Sequence, residues 1–161
     1  IGGVRIYNLY VPNGTALGTD AFAYKLQWLE RLRVELDAHS RVDEPLLLCG
    51  DFNIAPDARD LVDPASMVGC THFSPEEHAA LARLQGFGLR DCFRKFNQEA
   101  GQFTWFDYRA GAFRKNQGMR IDHVYATAPM FERCLSVEHD AGPRKGDTPS
   151  DHIPVVAKFG G

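Results

Sequence analysis

Several features are missing from the 161-residue sequence, and each absence narrows what it encodes. There is no run of about eighteen apolar residues, which excludes a membrane-spanning helix. Fifteen Gly and nine Pro are dispersed rather than clustered, so no collagenous or low-complexity segment is present. The formal net charge of −3 is not basic, which removes the cheapest argument for a nucleic-acid partner. No internal repeat or linker is visible. No CxxC pair occurs either: Cys49, Cys70, Cys92 and Cys134 are spaced by 21, 22 and 42 residues. Two disulfides are arithmetically possible, but a chain of this length does not need them, and reduced structural thiols are expected. That usage points inside the cell, to a cytoplasmic protein. The chain also has no initial Met, no signal peptide and no polar tail; it opens Ile1-Gly2-Gly3 and enters a strand-like pattern at once.

What is present suits one α/β domain with a sheet backed by helices. Val4–Val11 is β-rich and ends at Pro12-Asn13-Gly14, a strand running into a turn. Thr19 or Asp20 caps a helix to about residue 39, with Phe22, Leu26, Leu29, Leu32 and Leu36 at helical spacing. Leu46-Leu47-Leu48-Cys49 predicts a buried central strand that stops at Gly50-Asp51. Ser74-Pro75-Glu76-Glu77 is a helix start with a capping box, and Gly86 ends that helix. Phe103–Phe106, Arg120–Ala126, Leu135–His139 and Ile153–Phe159 predict further strands, with a polar loop over Ala110–Gly118.

Charge is unevenly spread. Residues 83–120 carry eight basic side chains against three acidic ones, interleaved with Phe103, Trp105, Phe106, Tyr108 and Phe113. A solvated helix face explains such a stretch as readily as a surface that grips a nucleic-acid backbone.

The acids are more informative. Asp51 comes directly off an apolar strand, with Asn53 two residues later. Strand ends hold functional groups rigidly, although Asp and Asn are also ordinary turn residues. Asp122 falls inside an expected strand, where a carboxylate is disfavoured unless it is paired or bound to a cation. Asp151-His152 precedes the last strand. Carboxylates with an amide and no cysteine suit Mg²⁺, with Mn²⁺ as the alternative. A divalent ion, a base and a protonatable His are the parts needed to hydrolyse a phosphate ester.

Five motifs occur in order: Tyr10-Val11-Pro12-Asn13-Gly14, Gly50-Asp51-Phe52-Asn53-Ile54, Thr104-Trp105-Phe106-Asp107-Tyr108-Arg109, Arg120-Ile121-Asp122-His123 and Ser150-Asp151-His152-Ile153-Pro154-Val155. Together they resemble the exonuclease III branch of the abasic-site endonucleases, in the endonuclease/exonuclease/phosphatase superfamily. The resemblance implies a metal-dependent DNA repair nuclease that cuts 5′ to abasic sites, with 3′–5′ exonuclease or 3′-phosphodiesterase activity beside it. Its partner would be double-stranded DNA with abasic sites or 3′ ends, and no membrane is implied. Asp51 would deprotonate the attacking water. Asn53 would hold a phosphoryl oxygen or that water. His152 would stabilise the phosphate charge, with Asp122 keeping its ring charged and aimed. Tyr10 would add a hydroxyl, although a core tyrosine is the plainer reading of its position. Asp151, with Asp51 and Asn53, would serve the metal. Trp105, Met119 and Ile121 would wall a pocket for a base-less sugar, although their spacing alone reads as core. Arg109, Arg114, Lys115 and Asn116 would approach the DNA backbone. His39, His72, His78 and His139 match no motif and are expected to be surface or structural.

The implied fold is a four-layer α/β sandwich of two mixed sheets flanked by helices, like that of DNase I. Residues 1–161 resemble only its second half. The first half, with a metal-binding Glu at a strand end, has no counterpart here, so this segment alone is expected to be inactive. Two alternatives share the broad motifs: a catalytically silent nucleic-acid-binding regulator of the same fold, and a lipid or inositol phosphodiesterase. The Trp105–Arg109 stretch separates the sequence from the latter.

Overall fold

Apolar side chains on both faces mark the strand at the centre of the molecule. In the computed structural model, which describes residues 1–161, that strand is β2 (Leu46–Asp51). It lies between β1 (Arg5–Tyr10) and β4 (Asp122–Ala126), and the two-residue β3 (Arg90–Asp91) pairs with the far side of β4. β1 runs parallel to β2, whereas β4 is antiparallel to both β2 and β3, so the sheet is mixed. The parallel pair needs a crossover, supplied by the long helix α1 (Asp20–His39), whose first turn is capped by the Thr19 hydroxyl accepting from Phe22 N.

The two faces of β2 face different partners. Leu46 and Leu48 turn toward α1 and α3 (Pro75–Gln85), joining Leu29, Leu36, Leu84 and Tyr125 in the larger core. Leu47 turns the opposite way with Val124 and Ala126, onto Cys92, Met130 and Val137. That second core lies beneath a two-stranded antiparallel sheet of β5 (Cys134–His139) and β6 (Val155–Phe159). Helices, mixed sheet and hairpin-like pair thus form successive layers. Two short helices, α2 (Pro64–Met67) and α4 (Ala128–Arg133), fill connections.

Helix α3 starts as its sequence predicts. Ser74 Oγ accepts from Glu77 N at 3.2 Å, and the Glu77 carboxylate accepts from Ser74 N at 3.0 Å. All four cysteines are free thiols, and no helix is long and apolar enough to cross a membrane.

Three sequence expectations need correction. Phe103–Phe106 is not a strand; only Trp105 makes isolated bridges, to Met119 and to His152. The cause is local: the Thr104 hydroxyl accepts from both Ile121 N and Asp122 N at 3.1 Å, replacing the main-chain partner a ladder would use. The following strand therefore begins at Asp122 rather than Arg120, so Asp122 sits at a strand end and not in its interior. The last strand begins at Val155, because Pro154 has no N–H to pair.

β1 is the outer strand of its sheet, with Ile6 and Tyr10 exposed. Leading into it, Gly2 and Gly3 both take positive φ (57° and 77°), and Ile1 and Val4 exchange hydrogen bonds of 3.0 and 2.8 Å. That is the two-residue turn typical of tight β-hairpins.

Leu48 is fully buried at the centre of the larger core. Leu48→Ala is expected to lower stability by about 2–5 kcal/mol, read as a fall in the urea midpoint at unchanged slope.

Candidate active site at the strand ends

The site begins with a glycine that no other residue can replace. Gly50 has φ +132°, and a Cβ there would lie 2.0 Å from the Leu9 carbonyl oxygen of the neighbouring strand. Parallel pairing of β1 and β2 at this point therefore requires Gly before Asp51. Asp51 ends β2, and directly across the antiparallel ladder it faces Asp122, the first residue of β4. Two acids predicted from separate motifs are thus register partners.

Asn53 folds back under Asp51. Its backbone is left-handed (φ 51°), a conformation Asn tolerates better than most residues. Its N–H donates to Asp51 Oδ1 at 2.8 Å, and its side-chain Nδ2 donates to Asp51 Oδ2 at 3.0 Å and to Val11 O at 2.9 Å. His152 completes the cluster. Its Nδ1 lies 2.9 Å and 3.1 Å from the two Asp122 oxygens, so this nitrogen carries the proton and donates. The other nitrogen, Nε2, lies 4.0 Å from Asp51 Oδ2.

Electrostatics separates the three groups. Burial pushes the Asp51 carboxyl up to about 6, helped by the Asp122 charge and opposed by the Asn53 N–H, His152 and Lys25. The hydrogen bond His152 donates to Asp122 raises its pKa above the ordinary 6.5, against the effect of burial. The site therefore sets a weakly basic carboxylate beside an imidazole whose charged form Asp122 favours, a pairing suited to acid–base chemistry. The ligand atoms of Asp51, Asp122 and His152 all lie within 4.8 Å of one another, a group able to hold a metal ion. Its hard oxygen donors, and a carboxylate whose charge is disfavoured by burial, fit a divalent cation.

The other predicted residues gather around this cluster to different degrees. Asp151 Oδ2 accepts from Trp105 Nε1 at 3.0 Å, which ties the indole to the Asp151-His152 turn. Tyr10 stands at the rim and is 67% exposed, so it is no core tyrosine. Trp105, Met119 and Ile121 line a cleft of about 350 Å³ together with Asp51, Asn53, Asp151 and His152. Ile121 is also buried against Ala55 and Leu61. A second cavity of about 360 Å³ adjoins the cleft across Trp105 and Met119, with Leu61, Val62 and Met67 as its apolar wall.

Arg109, Arg114, Lys115 and Asn116 share one exposed loop and do not line the cleft. Arg109 already forks onto Asp107, with Nη2 to Oδ2 at 2.6 Å, and Asn116 Nδ2 donates to Gly101 O at 3.0 Å. The basic stretch itself divides. Arg94 and Arg120 turn inward, where Asp60 and Asp91 neutralise them, and only part of the cationic run faces solvent.

Two cleft residues carried no assigned role in the sequence. Asn13, inside the first motif, lines the cleft and donates from Nδ2 to Asn53 Oδ1 at 3.3 Å. His72 lies in no motif, yet it borders both cavities and its Nδ1 is 2.7 Å from Asn53 O. Burial lowers its pKa, so the ring is neutral and Nδ1 donates to that carbonyl. No local pattern marks His72, because the loop that carries it reaches the cleft only through tertiary contacts.

The Asp122–His152 pair sets a testable pH dependence. A raised histidine contributes stability that is complete below the unfolded value of about 6.5 and is lost as pH rises through the folded value. By NMR, the His152 ring should titrate above 6.5, and Asp122→Asn should bring the midpoint down. The same variant should flatten the loss of thermal stability on that alkaline side.

Comparison with known proteins agrees with this geometry. A model of the Endonuclease/Exonuclease/phosphatase family matches residues 2–152. Exodeoxyribonuclease III of Haemophilus influenzae is 35% identical, over 98% of this chain and 62% of its own length. The structure of an AP endonuclease from Archaeoglobus fulgidus superposes with a TM-score of 0.94 at 35% identity, covering 99% of this chain and 62% of that one. A 3′–5′ exonuclease (NExo) from Neisseria meningitidis gives 0.89 at 39% identity, covering 99% and 62%. The chain thus spans less than two thirds of the length of these relatives. With its strand-end acids, its mixed sheet and a family match over nearly all residues, the chain belongs to the endonuclease/exonuclease/phosphatase family.

Proposed function

We propose that the protein is a DNA repair nuclease of the exonuclease III type. It hydrolyses phosphodiester bonds 5′ to abasic sites and also removes nucleotides or blocking groups from 3′ ends. The observation that carries this reading is the convergence of Asp51, Asp122 and His152 within 4.8 Å, beside a cleft with an apolar wall.

Each side chain has a task its position permits. Asp51, poised near pH 6, takes the proton of the attacking water. His152 presents Nε2 as a cation to a phosphoryl oxygen, while Asp122 accepts from Nδ1 and keeps the ring charged and aimed. Asn53 would hold a phosphoryl oxygen or the attacking water by exchanging one of its Nδ2 bonds to Asp51 and Val11, and Tyr10 offers its hydroxyl from the rim. Asp51, which belongs to the metal-capable group, would hold Mg²⁺, with Mn²⁺ as the alternative, together with Asp151 and Asn53 from the same cleft, and the ion would supply electrophilic stabilisation of the phosphate charge. Trp105, Met119 and Ile121 favour an extruded base-less sugar over a hydrated polar group. Arg109, Arg114, Lys115 and Asn116 approach the duplex backbone, and the working partner is double-stranded DNA with abasic sites or 3′ ends. The free thiols are in keeping with a cytoplasmic setting.

Residues 1–161 constitute, in this reading, the second half of one four-layer domain. Two features support it: the relatives extend well beyond the matched part, and β1 presents a free sheet edge. Catalysis then belongs to the full polypeptide, and the segment alone is inactive.

The test is cleavage of an abasic duplex and of a recessed 3′ end with Mg²⁺, by the full polypeptide and by residues 1–161. Asp51→Asn and His152→Ala should each lower kcat by about 10²–10⁴-fold, and EDTA should abolish turnover. Binding of DNA without cleavage would point to a silent regulator, and hydrolysis of phospholipid head groups to a lipid phosphodiesterase. Robust cleavage by residues 1–161 would overturn the division into halves.

A further inference from the structure

Lys25 lies outside every motif, yet it occupies a core position on the inner face of α1. Its side chain and that of Glu77 on α3 are both fully buried. The ammonium uses all three of its donors: to Asn13 O at 3.1 Å, to Asn53 O at 2.7 Å and to Glu77 Oε1 at 2.5 Å. Glu77 in turn accepts from His72 N at 2.9 Å, and its other oxygen accepts from the Ser74 N–H and hydroxyl at 3.0 and 2.7 Å.

A buried ion pair is a poor device for stability, since apolar residues of similar volume often do as well or better. What this one holds is more telling. Two of the three acceptors are main-chain carbonyls of Asn13 and Asn53, in irregular segments outside any ladder or helix. Asn53 is left-handed, and Asn13 leads into Gly14 and Thr15, both with positive φ (87° and 55°). The Lys25 stem also packs on that turn: a Cβ at Gly14 would lie 2.9 Å from Lys25 Cδ. Both asparagine side chains face the cleft, where Asn13 Nδ2 donates to Asn53 Oδ1 and Asn53 Nδ2 donates to Asp51 Oδ2. One ammonium therefore ties the two turns whose amides frame Asp51.

We propose that Lys25, with Glu77 as its counter-ion, is a positioning residue for the hydrolytic site, holding the Asn13 and Asn53 carbonyls so that both amides and Asp51 keep one geometry. Lys25 touches neither substrate nor reacting atoms. The inference rests on the cleft being the site of phosphodiester hydrolysis.

Either single neutralisation to an apolar residue strands a buried charge, so the informative variant is Lys25→Met/Glu77→Gln. Glu77→Asp keeps the lysine donors and their counter-charge, and serves as the conservative comparison. In the full polypeptide with an abasic duplex and Mg²⁺, the double variant should lose about 10–100-fold in kcat with KM within about threefold. Glu77→Asp should retain clearly more of kcat than the double variant. With asparagine ¹⁵N-labelled protein, the Asn13 and Asn53 side-chain amide signals should shift or broaden in the double variant, while circular dichroism stays unchanged. A folded double variant with wild-type kcat, or with its loss wholly in KM, would overturn the inference and leave the nuclease reading intact. A wild-type protein without hydrolysis would remove that reading. The amide signals would then decide alone, and unshifted signals overturn the positioning role.

Discussion

Two carboxylates placed opposite each other on neighbouring strands are the constraint around which this structure is organised. Asp51 and Asp122 are ladder partners, and neither can leave that position without breaking the register of β2 on β4. Like charges at such a spacing repel, and partial burial sharpens the repulsion. The surroundings relieve it in steps. His152 lies against Asp122 and within 4.0 Å of Asp51, Asn53 donates twice to Asp51, and Asp51 itself rises to about 6. Gly50 makes the strand pairing behind Asp51 sterically feasible. A rigid scaffold that tolerates an electrostatically unfavourable pair is the usual cost of a reactive site.

The scaffold meets that demand with charge as well as apolar packing. Beneath the cleft, Arg120 is buried between Asp60, at 2.6 Å, and Asp91, at 2.8 Å, immediately before Ile121 and Asp122. It also donates to His123 Nδ1 at 3.1 Å, while the other nitrogen of that ring faces Ile54 O at 2.9 Å. Burial and the Arg120 charge drive His123 down to about 3, so it stays neutral and acts as a hydrogen-bond spacer. Adjacent residues on β4 thus have opposite chemistry: Asp122 accepts from His152, and His123 joins the interior network. Alternation along a strand, combined with two different surroundings, is sufficient cause.

Much of this was legible in residue order. The apolar run Leu46–Leu48, the Ser74 capping box and the spacing of Leu29, Leu32 and Leu36 are local signals, and each element formed where its pattern placed it. The five motifs likewise carried Asp51, Asn53, Asp122, Asp151 and His152 to one end of the sheets. Phe103–Phe106 misled because β-prone composition says nothing about available partners, and the Thr104 side chain took the bonds a ladder would have used. The basic stretch misled in part because a charge count cannot tell a solvated arginine from Arg120, whose counter-charge at Asp60 is distant in sequence.

By itself, the sequence determined most element types, the order of the strand-end acids and membership in a family of hydrolytic α/β proteins. Those properties follow from periodicity, capping and short motifs, which act over a few residues. Only the tertiary structure decided that Asp51 faces Asp122, that His72 and Asn13 enter the cleft, and that Lys25 is a buried hub rather than a surface charge. These are contacts between distant segments. Their physics lies in burial and in who supplies the partner for each donor and charge, which no local pattern encodes.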